Sequence, residues 1–227
     1  MEHRFYIKSK KERTRIQAAI ALCSLIIILL TIFLSFKTGV YLIGILAFAI
    51  ILSIIAPFFD VPALKKSGKL TYHSPLFITE RPKDGVIKIH GGTLFDYLFT
   101  LDRQMNGNKR TNLIIQQYLQ GLLNVMKKYG DGKNDNLKFR GTSYILNKRT
   151  AERIGFKMVK PDVLQKSVLI YNYFNILIAN SIAKNRLSLP NLNGIRTFEA
   201  DLNELLDRRD YIAKLNDRLK NNTADNI

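Results

Sequence analysis

The sequence predicts a membrane protein in which an N-terminal two-helix transmembrane hairpin is followed by a cytoplasmic α+β domain. Two apolar stretches, residues 18–36 and 40–59, contain no charged residue and are separated by a short link. Each supplies about 20 residues, enough at about 1.5 Å per residue to cross a hydrocarbon core of roughly 30 Å. The link is short enough to permit only an antiparallel reversal. After residue 60, strand-like runs alternate with helical patterns, which predicts the α+β domain.

Basic residues lie mainly on the two outer flanks of the hairpin. They are Arg4, Lys8, Lys10, Lys11, Arg13 and Arg15 before the first stretch and Lys65, Lys66 and Lys69 after the second, against Lys37 in the link. By the positive-inside rule, we expect an integral, multi-pass protein with both termini in the cytoplasm. The first stretch is longer than the apolar region of a cleaved signal peptide, so we expect it to be retained. With Cys23 as its single cysteine, the chain forms no intramolecular disulfide bond.

The predicted organisation has a basic cytoplasmic arm, the hairpin, a basic α+β domain that ends in a charged amphipathic helix, and a disordered tail. Their bounds are 1–17, 18–59, 60–220 (with the charged helix at 195–220) and 221–227. The chain has a formal net charge of +17, and most of this excess follows residue 60. Such an excess attracts anionic lipid headgroups or nucleic acid. Because the hairpin would hold the domain at the bilayer, lipid is the favoured partner and nucleic acid is not expected. Charge that only maintains solubility is the alternative.

Local patterns predict the order of elements within the cytoplasmic domain. Pro62 and Gly68 indicate that residues 60–68 form a linker rather than a continuation of the second helix. The remaining elements are strands at 69–80 (interrupted by Pro75), 86–90, 94–101, 137–146 and 156–159, and helices at 111–128, 148–154, 161–184 and 195–220.

The helix predicted at 161–184 is apolar on nearly all sides between residues 168 and 182, apart from its asparagines. A helix that is apolar all round is buried in protein or in lipid. Its apolar part is short for a bilayer span. Residues 163–182 therefore have three possible placements: the centre of the soluble domain, the membrane interface, or a third span that would put the C-terminus outside.

The charged helix predicted at 195–220 carries apolar residues at heptad spacing. They are Phe198, Leu202, Leu205, Ile212 and Leu219, with Arg209 and Asn216 at the remaining core positions. Polar residues at such positions can set the register of an oligomer, so one interpretation is a homo-oligomer formed through residues 198–219. The other is a single amphipathic helix packed on its own domain, because about three heptads is the lower limit for a coiled coil.

The first candidate site follows the strand at 86–90 and reads IHGGTLFDY. Gly91 and Gly92 could turn the backbone sharply and direct N–H groups at an anion. His90 and Asp96 are residue types that serve as a general base and the group that orients it, so they are the candidate catalytic pair. The alternative is a Gly-Gly hairpin between two strands, with His90 and Asp96 as ordinary surface groups.

The second candidate site combines a guanidinium, a flexible backbone and two hydroxyls, a composition suited to holding a phosphate. Its residues are Arg140, Gly141, Thr142 and Ser143, with Lys148 and Arg149 in the following helix. The glycine, lysine and hydroxyl spacing of a nucleotide-binding P-loop is absent. The alternative is that these basic residues only form a solvated face.

The order of these parts, a membrane anchor, a His and Asp pair and a later Gly-Thr-Ser segment, resembles that of membrane-bound glycerolipid acyltransferases. In that family four residues separate the His from the Asp, whereas five separate His90 from Asp96, and a Glu precedes the later Gly where this chain has Arg140. The resemblance implies acyl transfer involving a lipid. Because of these two departures, it assigns no role to any residue of this chain.

Three classes of function follow from these observations. The leading hypothesis is a membrane-anchored protein whose basic domain binds anionic lipid headgroups or a partner protein at the inner face. The second is an acyl- or phosphoryl-type transferase that acts on a lipid or lipid-linked substrate. The third is a ligand-sensing or nucleic-acid-binding module that signals through the hairpin. No motif identifies a cofactor, and the scattered His and Cys residues give no metal-ligand spacing.

Overall fold

The computed structural model of the chain describes residues 2–130, 137–143, 146–160 and 163–224. Within them, two long apolar helices are followed by a mixed six-stranded sheet with helices, which confirms the α+β arrangement. The helices are α1 (Lys10–Thr38), α2 (Tyr41–Lys66), α3 (Leu94–Thr100), α4 (Gly107–Tyr129), α5 (Lys148–Arg153), α6 (Val163–Tyr171), α7 (Tyr173–Lys184), α8 (Leu202–Asp207) and α9 (Arg209–Ala224). The strands are β1 (Leu70–Ser74), β2 (Phe77–Glu80), β3 (Val86–Gly91), β4 (Lys138–Ser143), β5 (Lys157–Val159) and β6 (Arg196–Asp201).

Helices α1 and α2 form an antiparallel pair, and both are long and apolar enough to cross a bilayer. α1 begins with a capping box between Ser9 and Glu12, and Gly39 follows its end in the left-handed conformation, with φ of 71°. A Cβ atom on Gly44 would lie 2.8 Å from Ser35 Oγ. Glycine at this position therefore allows the two helices to approach closely.

The prediction of a linker at 60–68 is wrong. α2 continues through Pro62 to Lys66, and the chain turns only at Gly68, whose φ is 67°. A proline inside a helix removes one backbone hydrogen bond, and the carbonyl released by Pro62 finds another donor, as described below. The hairpin is thus joined to the rest of the chain by a continuous helix.

The six strands are ordered β1-β2-β3-β4-β6-β5. The β3–β4 pair is parallel, and the other pairs are antiparallel. Pro75 separates β1 from β2, so the segment 69–80 forms two short strands on either side of the expected interruption. The largest core cluster packs α4, α8 and α9 against one face of the sheet, where it includes the buried side chains of Ile87, Phe139 and Phe198.

The segment 94–101 was predicted as a strand, and this prediction is wrong because residues 94–100 form α3. Its Phe, Tyr and Leu residues favour a strand by composition. Thr93 and Asp96 nevertheless form a capping box that starts a helix. This turn of the chain directs Phe95 into an aromatic cluster between α2 and the N-terminal arm.

The prediction of one charged helix at 195–220 is also wrong at its start. Residues 196–201 form β6, which pairs with both β4 and β5, and the helical part begins at Leu202. Phe198 and Leu205 are buried in the core of the same chain, as is Ile212 of α9. The apolar seam is therefore occupied by intramolecular packing, which matches the alternative of an amphipathic helix on its own domain.

The helix predicted at 161–184 is broken at Asn172 into α6 and α7. These helices have 9 and 12 residues, so neither is long enough to cross a hydrocarbon core of roughly 30 Å. α7 packs against α2, α3 and α4. The structure thus contradicts a continuous third span, and residues 161–162 lie outside the described part of the chain.

Other boundaries differ by a few residues. The helix predicted at 111–128 starts earlier, at Gly107, because Asn106 accepts a hydrogen bond as its N-cap. The strand predicted at 137–146 is β4, and residues 144–145 lie outside the described chain. The short helix at 148–154 and the strand at 156–159 correspond to α5 and β5. α9 extends into the predicted disordered tail as far as Ala224, and residues 225–227 are not described.

Candidate functional site

Pro57 interrupts the backbone hydrogen bonds of α2 within the second apolar stretch. Proline has no N–H, so the carbonyl of Ser53, four residues earlier, receives no helical hydrogen bond from position 57. Asn175 Nδ2, from α7, donates to this carbonyl oxygen at 2.5 Å. Both Ser53 and Asn175 are buried. A side chain from another helix thus satisfies the released backbone acceptor.

Pro62 releases the carbonyl of Phe58 in the same way, and Gln17 Nε2 of α1 donates to it at 2.9 Å. Since Gln17 lies beside Phe58 in an antiparallel pair, Arg15 and Asp60 lie at nearly the same level. These two residues mark the end of the charge-free part of the hairpin. We call each carbonyl that loses its helical donor to a proline a proline gap. Side-chain amides close both gaps, and such closure allows proline in a helix where water cannot supply the missing hydrogen bond.

Basic side chains from both helices lie at this end of the antiparallel pair. Lys10, Lys11 and Arg15 of α1, Lys66 at the end of α2 and Lys69 just beyond it are exposed. We call these five residues the basic rim. The rim directly borders the apolar surface of the hairpin, the position in which lysine and arginine can reach anionic groups while their helix stays in an apolar medium.

The N-terminal arm packs against the domain. The Arg4 guanidinium donates to the carbonyl oxygens of Phe99, Leu98 and Leu101 at 3.1, 3.0 and 2.7 Å. These carbonyls lie at the end of α3, where the last carbonyls of a helix have no intrahelical partner. Phe5 is 2% exposed and packs against α3. The arm therefore fixes α3 in place and is not a free basic extension.

Asp96 is fully buried at the start of α3. Its Oδ2 accepts hydrogen bonds from the Thr93 backbone N–H at 2.7 Å and the Thr93 hydroxyl at 2.8 Å. Its Oδ1 accepts one from the Tyr72 hydroxyl at 2.6 Å and lies 3.2 Å from His3 Nε2. Burial, together with the carboxylate of Asp96, raises the pKa of Tyr72. Asp96 thus connects the arm, β1 and α3.

Lys65 covers the outer side of this cluster. Its Nζ lies 3.3 Å from the ring centre of Tyr6 and 4.9 Å from that of Tyr72. Burial lowers the pKa of Lys65 and raises the pKa of Tyr6 to about 12. The last turn of α2 is therefore held by aromatic contacts to the arm and to β1.

The structure gives the two residues of the predicted catalytic pair different partners. His90 lies at the exposed end of β3, and its Nε2 is 2.7 Å from Glu80 Oε1. This hydrogen bond lowers the pKa of Glu80. The hydrogen bonds of Asp96 come from Thr93, Tyr72 and His3, so Asp96 does not orient His90. A catalytic role for either residue remains a prediction.

Gly91 is the last residue of β3 and Gly92 follows it toward α3, so the two glycines do not form a hairpin between two strands. A Cβ atom on Gly91 would lie 2.3 Å from the Tyr118 hydroxyl oxygen, and one on Gly92 would lie 2.7 Å from Leu76 Cδ2. Close packing accounts for both glycines. Their assignment to an anion site remains a prediction.

The second predicted segment lies in β4, between β3 and β6. Arg140 forms an ion pair with Glu199, and the hydroxyls of Thr142 and Thr197 lie 3.0 Å apart. Gly141 pairs with neighbours on both sides, so its segment is a strand and not a loop open to a phosphate.

The other residues predicted to contact an anion, Ser143 and Lys148, also have partners within the protein. Ser143 Oγ accepts a hydrogen bond from the backbone N–H of Leu146 at 3.0 Å. Lys148 Nζ lies 3.7 Å from a carboxylate oxygen of Glu152 on exposed α5, where Arg149 is also exposed. Lys148 and Arg149 therefore lie on the exposed face of α5, and both anion binding and a merely solvated face remain predictions.

The sequence did not predict a row of side-chain amides that joins α4 to α9 and β1. The successive donor and acceptor residues are Gln117 to Gln116 (2.7 Å), Gln116 to Asn216 (3.0 Å), Asn216 to Gln120 (3.2 Å), Gln120 to Asn124 (3.1 Å) and Asn124 to the His73 carbonyl (2.6 Å). A buried polar side chain needs hydrogen-bond partners. The presence of Asn216 at a core position was therefore the one indication in the sequence that polar side chains lie between these helices. Asn216 aligns α9 with α4 of the same chain.

Within the described residues, no group of three or more His, Cys, Asp or Glu side chains is arranged to hold a metal ion. Comparison of the chain with models of known protein families, with curated protein sequences and with solved structures finds no match. The candidate site is therefore defined by its geometry: an apolar hairpin, its two proline gaps closed by amides, and the basic rim at one end.

Proposed function

We propose that the protein is a two-pass membrane protein that holds its basic α+β domain against anionic lipid headgroups at the cytoplasmic face. The observation that carries this proposal is the position of the basic rim at the boundary of the charge-free hairpin, on the side where the α+β domain lies. Large apolar side chains between Leu22 and Leu52 are exposed along both helices. A bilayer would cover this surface, and the rim would then meet the headgroups.

The closure of the proline gaps supports the same placement. In water, a carbonyl released by proline can bind solvent, whereas in a hydrocarbon medium each unsatisfied backbone group costs several kcal/mol. The Ser53 carbonyl lies inside the second apolar stretch and is met by the Asn175 amide. The positive flanks on the domain side favour a cytoplasmic location for both termini.

The orientation can be tested with single-cysteine variants, because Cys23 is the only native cysteine. In a Cys23→Ser background, Thr38→Cys and Lys214→Cys place a thiol in the link and on α9. Intact spheroplasts are treated with a membrane-impermeant maleimide before or after permeabilisation. We expect Thr38→Cys to react in intact spheroplasts and Lys214→Cys only after permeabilisation. Equal labelling of both variants in intact spheroplasts would contradict the hairpin.

Headgroup binding can be tested by spin-label EPR on the full-length protein reconstituted into mixed-lipid membranes. Spin-labelled phosphatidylglycerol should associate more strongly than spin-labelled phosphatidylcholine at low salt. Combined Lys10→Gln, Lys11→Gln and Lys66→Gln changes should reduce this preference, by up to roughly fivefold for each charge at about 1 kcal/mol per charge. The control, which removes two charges rather than three, replaces Lys148 and Arg149 of α5 by Gln and should leave the preference unchanged. Loss of preference only in the control would move the headgroup site to α5 and refute the rim.

A further inference from the structure

We propose that residues 167–175, which include the break between α6 and α7, insert among the acyl chains of the cytoplasmic leaflet. We call this segment the elbow. It would enter and leave the bilayer on the same side. The inference rests on the proposed hairpin, because α2 defines the depth at which the elbow lies.

The contact between Asn175 and Ser53 determines this depth. Ser53 lies seven residues before Asp60, the first charged residue after the second apolar stretch. At about 1.5 Å per residue, Ser53 is about 10 Å inside the end of the charge-free region. Half of a hydrocarbon core is about 15 Å thick. The hydrogen bond from Asn175 to the Ser53 carbonyl, and the 3.5 Å distance from Ser53 Oγ to the Tyr171 carbonyl, hold the elbow at this level.

The surface of the elbow suits acyl chains. The sequence contains no charged residue between Lys166 and Lys184. The outward-facing apolar and aromatic side chains of the elbow are Val168 (50% exposed), Ile170 (55%), Tyr171 (66%) and Phe174 (38%). At the break itself, the Asn172 backbone N–H and side-chain amide both donate to the Val168 carbonyl, at 3.0 and 2.9 Å. These two donors of Asn172 are thus satisfied within the segment, whereas the buried Asn175 Oδ1 has no hydrogen-bond partner among the described residues.

The apolar surface continues from the elbow along α7. An open groove of about 420 Å³ is lined mainly by apolar side chains, among them Leu177, Ile178, Ile182 and Leu187. Leu187, just beyond α7, is 82% exposed. Because α7 starts beside Ser53, this groove begins within one turn of the depth at which the elbow lies and continues along α7, where Arg110 of α4 also lines it. Acyl chains of the same leaflet would fill it.

Site-directed spin labelling of the full-length protein in liposomes tests the elbow. In the Cys23→Ser background, nitroxides are attached to Ile170→Cys and Phe174→Cys. Leu46→Cys in α2 is the control for the hairpin, and Arg149→Cys in α5 is the aqueous control. Collision rates are measured with oxygen, which concentrates in lipid, and with the water-soluble complex nickel ethylenediaminediacetate. We expect both elbow positions to resemble Leu46→Cys, with frequent oxygen and rare nickel collisions.

The possible results separate the elbow from the hairpin. Frequent nickel collisions at both elbow positions, with Leu46→Cys in lipid, would overturn the elbow and leave the hairpin intact. Rare collisions with both reagents would show that protein, such as a second copy of the chain, covers the elbow, which also overturns the inference. Frequent nickel collisions at Leu46→Cys would overturn the hairpin itself. Agreement between Ile170→Cys and Phe174→Cys guards against local distortion at one position.

Discussion

Replacement of Asn175 by leucine should destabilise the protein only while Pro57 is present. The Asn175 amide is the donor to the Ser53 carbonyl that Pro57 leaves without a helical partner. Asn175→Leu keeps a side chain of similar size and removes this donor. In Pro57→Ala, the alanine N–H can donate to the same carbonyl within the helix. The two changes should therefore be energetically coupled.

The magnitude follows from three contributions. An unsatisfied buried acceptor costs about 1–3 kcal/mol, and side-chain hydrogen bonds measured within membranes contribute about 0.6 kcal/mol on average and up to about 1.7. Against this, Asn175 Oδ1 is itself buried and has no partner among the described residues, so leucine removes an unsatisfied group. We therefore expect Asn175→Leu alone to lower the free energy of unfolding by about 1 kcal/mol, and by less than about 0.5 kcal/mol in the Pro57→Ala background.

Unfolding is measured by titration with sodium dodecyl sulfate in mixed micelles and followed by far-ultraviolet circular dichroism, since the chain contains no tryptophan. Pro62→Ala is the matched control, because Pro62 releases a different carbonyl, and its effect should add to that of Asn175→Leu. A second cycle with Gln17→Leu and Pro62→Ala should show coupling of similar size. Additive effects in both cycles would refute the conclusion that these amides replace missing helical hydrogen bonds.

Two further predictions concern the α+β domain. Asp96→Ala leaves Thr93, Tyr72 and His3 without their common acceptor and should lower the free energy of unfolding by about 3–5 kcal/mol, whereas His90→Ala, at an exposed position, should change it by less than about 0.5 kcal/mol. Equal effects of the two variants in the same titration would contradict the structural role of Asp96. Burial, aided by Lys128, lowers the pKa of His73 to about 4, so between about pH 6.5 and 4 the unfolded chain binds a proton that the folded chain does not. The free energy of unfolding should therefore decrease as the pH is lowered through this range. After allowance for the partial exposure of His73, the decrease should be about 1 kcal/mol larger in the native protein than in His73→Gln, and an identical decrease in both proteins would contradict this.

The sequence predicts the hairpin well, because long apolar stretches and short links leave few alternatives. It fails where one short pattern fits two structures. Phe198 and Leu202 fit a helical seam, but Phe198 also alternates with polar neighbours as a strand does. Pairing of β6 with β4 decides between them, and β4 is far away in sequence. At the start of α3, by contrast, the spacing of Thr93 and Asp96 was a local indication of a helix N-terminus that composition alone obscured.

In the candidate site, too, features set by neighbouring residues could be predicted, whereas contacts between residues far apart in the sequence could not. The prolines of α2 identify, from sequence alone, which carbonyls lose a donor. The sequence does not reveal that Gln17 and Asn175 supply the replacements, because these residues lie 41 and 122 positions away from the carbonyls they meet. In the same way, His90 and Asp96 are close in sequence, yet His90 lies near the end of β3, whereas Asp96 lies in the first turn of α3 with its carboxylate buried.

The continuity of α2 changes how the hairpin can act. A flexible linker at 60–68 would let the domain adopt many orientations and would dilute any preference for the membrane surface. Instead, α2 enters the domain as a helix, and its C-terminal part is held by Phe58, Val61 and Lys65 against the arm and α3. Domain and hairpin therefore share one orientation, so under the proposed function the basic rim would meet the headgroups from a backbone of fixed orientation. Because the domain then needs no reorientation at binding, only the ordering of the side chains themselves opposes the attraction of each charge, which is why three substitutions in the rim suffice to test the proposed function.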